Sequence, residues 1–301
     1  NLTSASGIVP ALAVTTKSGY LYVLNRETGV PIHEVSEKPV PQSKVPGEST
    51  STTQPIPIIT PPMAKVSFNL SDLVSSDDTS SAHASACSKL LEEIGEINNE
   101  GPFTPWSYRQ NGASGETTLL FPGLTGGPNW GGSAYDKKSG LIFVYATNLG
   151  SLGWMEESVP GSTIPYVLKN PNPRNFEVTL NGQRMPCQKP PWGHLTAVDA
   201  LTGTIAWRRP IGLTTELPEG KQQTGRPGRA AAIVTASDLL FIASTDDNQL
   251  RALRSSTGEQ LWSSDLGYRG NANPMTYQGQ DNNQYVVIAA TEVLLAYKLK
   301  K

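Results

Sequence analysis

Two cysteines, three histidines and a lysine in a tight turn are the side chains from which this chain could build chemistry. Cys87 and Cys187 lie in loop-rich stretches without the paired spacing of a metal site, so they are either two thiols or one disulfide. A disulfide would suit an oxidising compartment. His33, His83 and His194 are scattered and form neither a base nor a metal set; solvated or turn positions are expected for them. Lys17, in Lys17-Ser18-Gly19, reads on composition alone as an ordinary turn lysine. The run Gly126-Gly127-Pro128-Asn129-Trp130-Gly131-Gly132 holds an amide that can both donate and accept hydrogen bonds, among glycines that let a backbone come close. Trp130 reads there as a packing residue.

The elements that must position these groups announce themselves by a repeated turn. Leu24-Asn25-Arg26-Glu27-Thr28-Gly29, Tyr135-Asp136-Lys137-Lys138-Ser139-Gly140, Val198-Asp199-Ala200-Leu201-Thr202-Gly203 and Leu253-Arg254-Ser255-Ser256-Thr257-Gly258 each separate two strand-like runs. An Asp or Asn opens such a turn by bonding its own backbone, and the glycine four residues on takes positive φ. Trp207 and Trp262 follow Gly203 and Gly258 at one offset, where an indole could wedge one four-stranded sheet against the next. An all-β fold, a β-propeller, follows from this pattern.

Composition agrees. The chain has 301 residues, 17% charged and 37% hydrophobic, enough for a sizeable core. A net charge of -2 with scattered lysines excludes a basic stripe, so no nucleic-acid partner is expected. No apolar run reaches membrane-spanning length, and the chain opens at Asn1 with no signal-like segment, as a mature or truncated chain would. Strand pairs are expected at 11–16 and 20–25, with a third strand after Gly29. Further strands are expected at 118–121, 133–135 and 141–146, and eight short ones fall between 195 and 297. Two insertions, at about 36–117 and 152–191, interrupt the repeat. Within the first, Ala86, Leu90, Leu91 and Ile94 predict a short amphipathic helix over 84–97, packed by its apolar face. About four blades result, the last incomplete. An open half-ring would leave a strand edge and an apolar face uncovered, so the rest of a ring or another copy of the chain is an expected partner.

The run from Pro10 to Gly29, through Thr16-Lys17-Ser18-Gly19-Tyr20, closely resembles a segment of the pyrroloquinoline quinone (PQQ) dependent dehydrogenases, in their membrane-bound glucose dehydrogenase branch. So do Lys38-Pro39-Val40-Pro41-Gln42, Thr53-Gln54-Pro55, Gly101-Pro102-Phe103-Thr104-Pro105, the 126–132 run, Pro186-Cys187-Gln188-Lys189-Pro190-Pro191-Trp192-Gly193 and Asn273-Pro274-Met275-Thr276-Tyr277. The resemblance implies the C-terminal half of an eight-bladed propeller with PQQ at its centre, oxidising an alcohol, polyol or sugar hydroxyl and passing electrons to a quinone or cytochrome acceptor. It implies a periplasmic or extracellular place, with membrane association through a region outside this chain. By the same resemblance Lys17 polarises a quinone carbonyl as negative charge develops on its oxygen, and Asn129 and Trp130 stand beside the cofactor.

Other features depart from the family. Its catalytic aspartate and the ligands of its divalent cation, Ca or Mg, belong upstream of the lysine segment, so no metal ligand is assigned here. Ala230-Ala231-Ala232 replaces a Gly-Gly pair, which puts close backbone approach to the cofactor in doubt. Ala289-Ala290-Thr291-Glu292 runs straight into Val293, without the family's glycine-rich loop and its aspartate. These departures support a second expectation, a cofactor-free propeller remnant serving as a binding or scaffold module.

Overall fold

In the computed structural model, which describes residues 1–4 and 7–298, the turn at Asp199 does what its sequence demands. Asp199 Oδ1 accepts the Leu201 and Thr202 N–H groups at 2.8 Å each, and Gly203 closes the turn at φ +76°. The turn at Arg254 lacks its own acceptor and borrows one: Asp238 Oδ1 accepts the Ser256 N–H at 2.8 Å. All four repeated turns close alike, with the glycine N–H donating to the carbonyl four residues back at 2.8 Å, but they differ in place: the Asp199 and Arg254 turns join the last two strands of their sheets. The Asp136 turn joins the first two strands of its sheet, Ser133–Asp136 and Leu141–Thr147.

That sheet continues through Gly193–Asp199 to Ile205–Pro210, which carries Trp207. A second four-stranded meander follows, Ile233–Val234, Leu239–Ile242, Gln249–Arg254 and Gln260–Asp265, and it carries Trp262. A three-stranded sheet ends the described chain: Met275–Gln278, Gln284–Ala290 and Val293–Tyr297. At the other end lies a hairpin, Ala11–Thr15 with Leu21–Asn25.

Alternation along Leu141–Thr147 shows how these layers stack. Side chains alternate between the faces of a strand; here Leu141, Phe143 and Tyr145 face Leu240, Ile242 and Ala232 of the Trp262 sheet, while Ile142, Val144 and Ala146 face Leu21 and Val23 of the hairpin. Both faces are buried, so the strand reads as a continuous apolar run. Ala243, Leu250, Ile288 and Ala290 join the Trp262 sheet to the C-terminal one. Trp207 is the expected wedge: its indole N–H donates to the Ser255 carbonyl at 2.9 Å, across the gap between sheets. Trp262 is more open and meets Tyr297 edge-on, with centroids 5.4 Å apart.

The insertions differ from expectation. The first is not irregular throughout. It holds the strand pair Val35–Pro39 and Thr53–Pro57, and the helix runs over Ser81–Ile94, three residues earlier than predicted, because Ser80 caps it by accepting the His83 N–H. Among the described residues no third strand joins the hairpin after Gly29; a single bridge between Leu24 and Pro31 stands in its place, and the next strand, Val35–Pro39, pairs elsewhere. Thr117–Leu120 leaves the propeller repeat, pairing in parallel with Ile97–Asn98 and antiparallel with Ser151–Glu157, which in turn pairs with Tyr166–Lys169. Both insertions thus contribute strands to one sheet, which Thr117–Leu120, expected as a strand of the repeat, completes. Phe68, Leu90, Leu119, Phe121, Leu152 and Phe176 form its core. Cys87, on the helix, is bonded to Cys187 in the second insertion, so the alternative of two free thiols does not hold. The Gln284–Ala290 and Val293–Tyr297 strands are joined by Thr291 and Glu292 alone, as the shortened sequence implied.

Candidate functional site

Lys17 sits in a turn closed by Gly19 N–H to Thr16 O at 3.0 Å, between the two strands of the N-terminal hairpin. Its main-chain carbonyl accepts the Gly127 N–H at 3.0 Å. The Gly127 carbonyl in turn accepts the N–H of Thr147 at 3.1 Å, and the Thr147 hydroxyl bonds Gly228 at both its carbonyl, 2.7 Å, and its N–H, 3.0 Å. A line of hydrogen bonds thus crosses from the hairpin, through the end of strand Leu141–Thr147, to the segment before Ala230. Gly126 is required in this contact: at φ +87° a Cβ would stand 2.7 Å from Lys17 Cγ.

A second clamp joins the same segments further on. Asn273 accepts the Ala231 N–H at 2.8 Å through Oδ1 and donates Nδ2 to the Gly131 carbonyl, also at 2.8 Å. Gly131 packs so closely that a Cβ there would stand 2.3 Å from the Ala231 nitrogen. In sequence Asn273 is one residue of the 273–277 run, and its bridging has no local signal, since both partners are more than 40 residues away.

The three candidate residues are therefore brought to one end of the stacked sheets, with unequal freedom. The Lys17 side chain is exposed, and among the described residues its ammonium has no hydrogen-bond or ion-pair partner. Trp130 is 62% exposed, so the packing role read from sequence does not hold. Asn129 spends its amide on its own loop: Nδ2 donates to Thr125 O at 2.6 Å and Oδ1 accepts the Trp130 N–H at 2.8 Å. Ala230, Ala231 and Ala232 are buried, and Gly131 and Asn273 cover the backbone there.

For a flat, anionic quinone these residues fit in part. An exposed indole face and an unpaired ammonium suit it, whereas the glycines at 126 and 131 are filled by protein and form no open cradle.

The histidines are not solvated as expected; all three are buried. His194 donates Nε2–H to the Met63 carbonyl at 2.8 Å, and burial, helped by Arg208, pushes its pKa down to about 4. His33 lies against Ala200 O at 3.0 Å. His83 bonds the Thr79 hydroxyl, and burial lowers its pKa. Among the described residues, the one His/Cys/Asp/Glu group with ligand-like spacing is His83, Cys87 and Cys187, whose sulfurs are joined to each other.

A polar cavity of about 130 Å³ opens beside Thr125 and Thr147. Behind it, Arg226 is fully buried and grips Asp246 with two bonds, Nε to Oδ1 at 2.7 Å and Nη2 to Oδ2 at 2.9 Å. Tyr145 donates its hydroxyl to the Arg226 carbonyl; burial, and then the Asp246 charge, push its pKa up.

Comparison with known proteins agrees with the geometry. The PQQ family model, described as the β-propeller domain of glucose/ethanol/alcohol dehydrogenases, matches residues 1–286. The quinate/shikimate dehydrogenase (quinone) of Acinetobacter baylyi is 31% identical over 97% of this chain and 38% of its own length. Quinoprotein glucose dehydrogenase A of Acinetobacter calcoaceticus is 32% identical over 95% of this chain and 36% of its own length. A europium-containing methanol dehydrogenase shares the fold, with a TM-score of 0.54 at 21% identity over 95% of this chain and 37% of that one. The chain thus spans well under half of the relatives it matches. With its stacked meanders, its tryptophan wedge and its matched length, the chain belongs to the β-propeller family of the PQQ-dependent glucose, ethanol and alcohol dehydrogenases.

Proposed function

We propose that this chain supplies one flank of the cofactor site of a PQQ-dependent dehydrogenase that oxidises an alcohol, polyol or sugar hydroxyl. The observation that carries the reading is the bond from Gly127 N–H to the Lys17 carbonyl, which holds the main chain at Lys17, whose side chain is exposed, beside a loop that carries an exposed indole. PQQ, when bound, takes up a hydride equivalent from the alcohol carbon. This chain's residues would hold and bias it. The Trp130 indole offers a flat apolar face for stacking. Asn129 keeps one N–H of its amide free to donate. Lys17 offers a compact positive charge where negative charge grows on an oxygen. The substrate base, a divalent cation and the electron acceptor, a quinone or a cytochrome, are assigned to the remainder of the protein. Leu12 at the hairpin and Leu294 in the last sheet are exposed, which favours a larger ring or a second copy covering those faces. The disulfide supports a periplasmic or extracellular place. Among the described residues no helix is long and apolar enough to cross a membrane.

The second reading, a cofactor-free binding or scaffold module, is favoured by one observation: Asn273 and Gly131 close over residues 230–231. Titration of the full-length protein with PQQ, read by absorbance, decides between the two. Saturable binding that weakens in Asn129→Ala supports the dehydrogenase; no binding at all makes the scaffold the better reading.

A further inference from the structure

The cavity beside Thr125 and Thr147 carries more positive than negative charge. Arg184, Arg229 and Arg269 line it, with Arg226 directly behind; the opposing carboxylates are Glu177 and Asp246. Asp246 is already saturated, held by Arg226 and, at 3.3 Å, by Arg269. Glu177 faces Arg184 at 3.6 Å. Two cationic charges are left over. One of them has a definite address: Arg229 is exposed, and among the described residues its guanidinium makes no hydrogen bond and no ion pair. Three residues earlier, Arg226 spends its donors on Asp246, Arg184 O and Thr214.

We propose that this cavity is a carboxylate-binding subsite, with the Arg229 guanidinium as its fork and Arg269 in support. A guanidinium presents two parallel N–H groups that match the two oxygens of a carboxylate, so the charge-assisted pair is directional as well as strong. At about 130 Å³ the cavity has room for a carboxylate and the carbons next to it. Its position selects the kind of molecule. Thr125 O accepts from Asn129 and Thr147 N–H donates to Gly127 O, so the cavity adjoins the loop that carries Trp130 and touches Lys17. The ligand is then either a hydroxy acid awaiting oxidation or the carboxylated quinone itself. Only that last step rests on the dehydrogenase reading; binding of the anion does not.

Calorimetric titration of the full-length protein with gluconate and with sorbitol, its uncharged counterpart, separates these cases. Gluconate is expected to bind at least tenfold more tightly than sorbitol, to weaken as salt is raised, and to lose at least tenfold in Arg229→Gln, with part of the affinity kept in Arg229→Lys. If gluconate fails to bind but PQQ binds and loses tenfold in Arg229→Gln, the carboxylate is the cofactor's and the subsite stands. If gluconate binds and PQQ does not, the subsite stands and the dehydrogenase reading falls. Equal affinity for gluconate and sorbitol without any effect of Arg229→Gln on PQQ overturns the subsite, as does no binding of gluconate or PQQ. Arg229 is exposed, so an unchanged melting temperature of the variant confirms that the fold is intact.

Discussion

His33 and Trp207 hold the same place in successive layers. Each lies four residues after a turn glycine, Gly29 and Gly203, and each donates a ring N–H to the second residue of the next layer's turn: His33 Nε2 to Ala200 O at 3.0 Å, Trp207 Nε1 to Ser255 O at 2.9 Å. The glycine of the receiving turn lies under the ring in both cases, where a Cβ would come within 3.2 Å of His33 at Gly203 and 2.7 Å of Trp207 at Gly258. Imidazole replaces indole in this first contact and keeps its hydrogen bond.

Removing the wedge should cost according to ring size. Trp207→Ala leaves a cavity and an orphaned carbonyl and should destabilise the protein by about 3 to 5 kcal/mol. His33→Ala removes a smaller ring and one hydrogen bond, about 1 to 3 kcal/mol. Urea unfolding should rank them in that order; equal effects would show that the two contacts do not share a role.

Stability should fall as pH drops from about 6.5 to about 4. The unfolded chain takes up a proton on His194 near pH 6.5, whereas the folded chain resists until about pH 4. The stabilisation present at neutral pH is therefore lost across that window, up to about 3 kcal/mol. His194→Gln, whose amide can still donate to Met63 O, should flatten the slope. Melting temperatures at pH 7 and 4.5 measure it, and an unchanged slope would exclude His194 as the source.

Arg226 and Asp246 should prove strongly coupled. Arg226→Met leaves a nearly buried carboxylate that, among the described residues, keeps an ion pair with Arg269 alone, at a cost of about 3 to 5 kcal/mol. Adding Asp246→Asn should recover part of that loss. A double-mutant cycle in which the two losses simply add would refute the coupling.

The Cys87–Cys187 bond spans 100 residues, and removing it as Cys87→Ser with Cys187→Ala should cost about 4 kcal/mol through the unfolded state. Thiol titration of the denatured, unreduced protein should find no free thiol.

If the dehydrogenase reading holds, Lys17→Ala in the full-length protein should lower kcat by about two to three orders of magnitude, because stabilisation of a developing oxyanion contributes about 3 to 4 kcal/mol. Cofactor retention should change less than in Asn129→Ala. Unchanged turnover would remove Lys17 from the chemistry.

What sequence could reveal here was local. The Asp199 turn, the Trp207 offset and the Val293–Tyr297 strand depend on neighbours a few residues away, and each stands as read, whereas Trp262 at the same offset is half open. The insertion sheet depends on Thr117–Leu120 meeting Ser151–Glu157, a pairing that no local pattern encodes. Asn129 was legible as an amide in a glycine-rich loop, but not as one whose amide closes that loop. His33 did carry a signal, its offset from Gly29, which counts of histidines conceal.

The bond between Cys87 and Cys187 also orders events during synthesis. At about 5 to 20 residues per second, the chain needs about 5 to 20 s to extend from the first cysteine to the second. Throughout that interval the helix bearing Cys87 has emerged while its partner has not, so the nascent chain presents a lone thiol. An alkylating agent or a foreign thiol meeting the chain then would leave Cys187 unmatched, and the two insertions would have to hold together without their covalent tie.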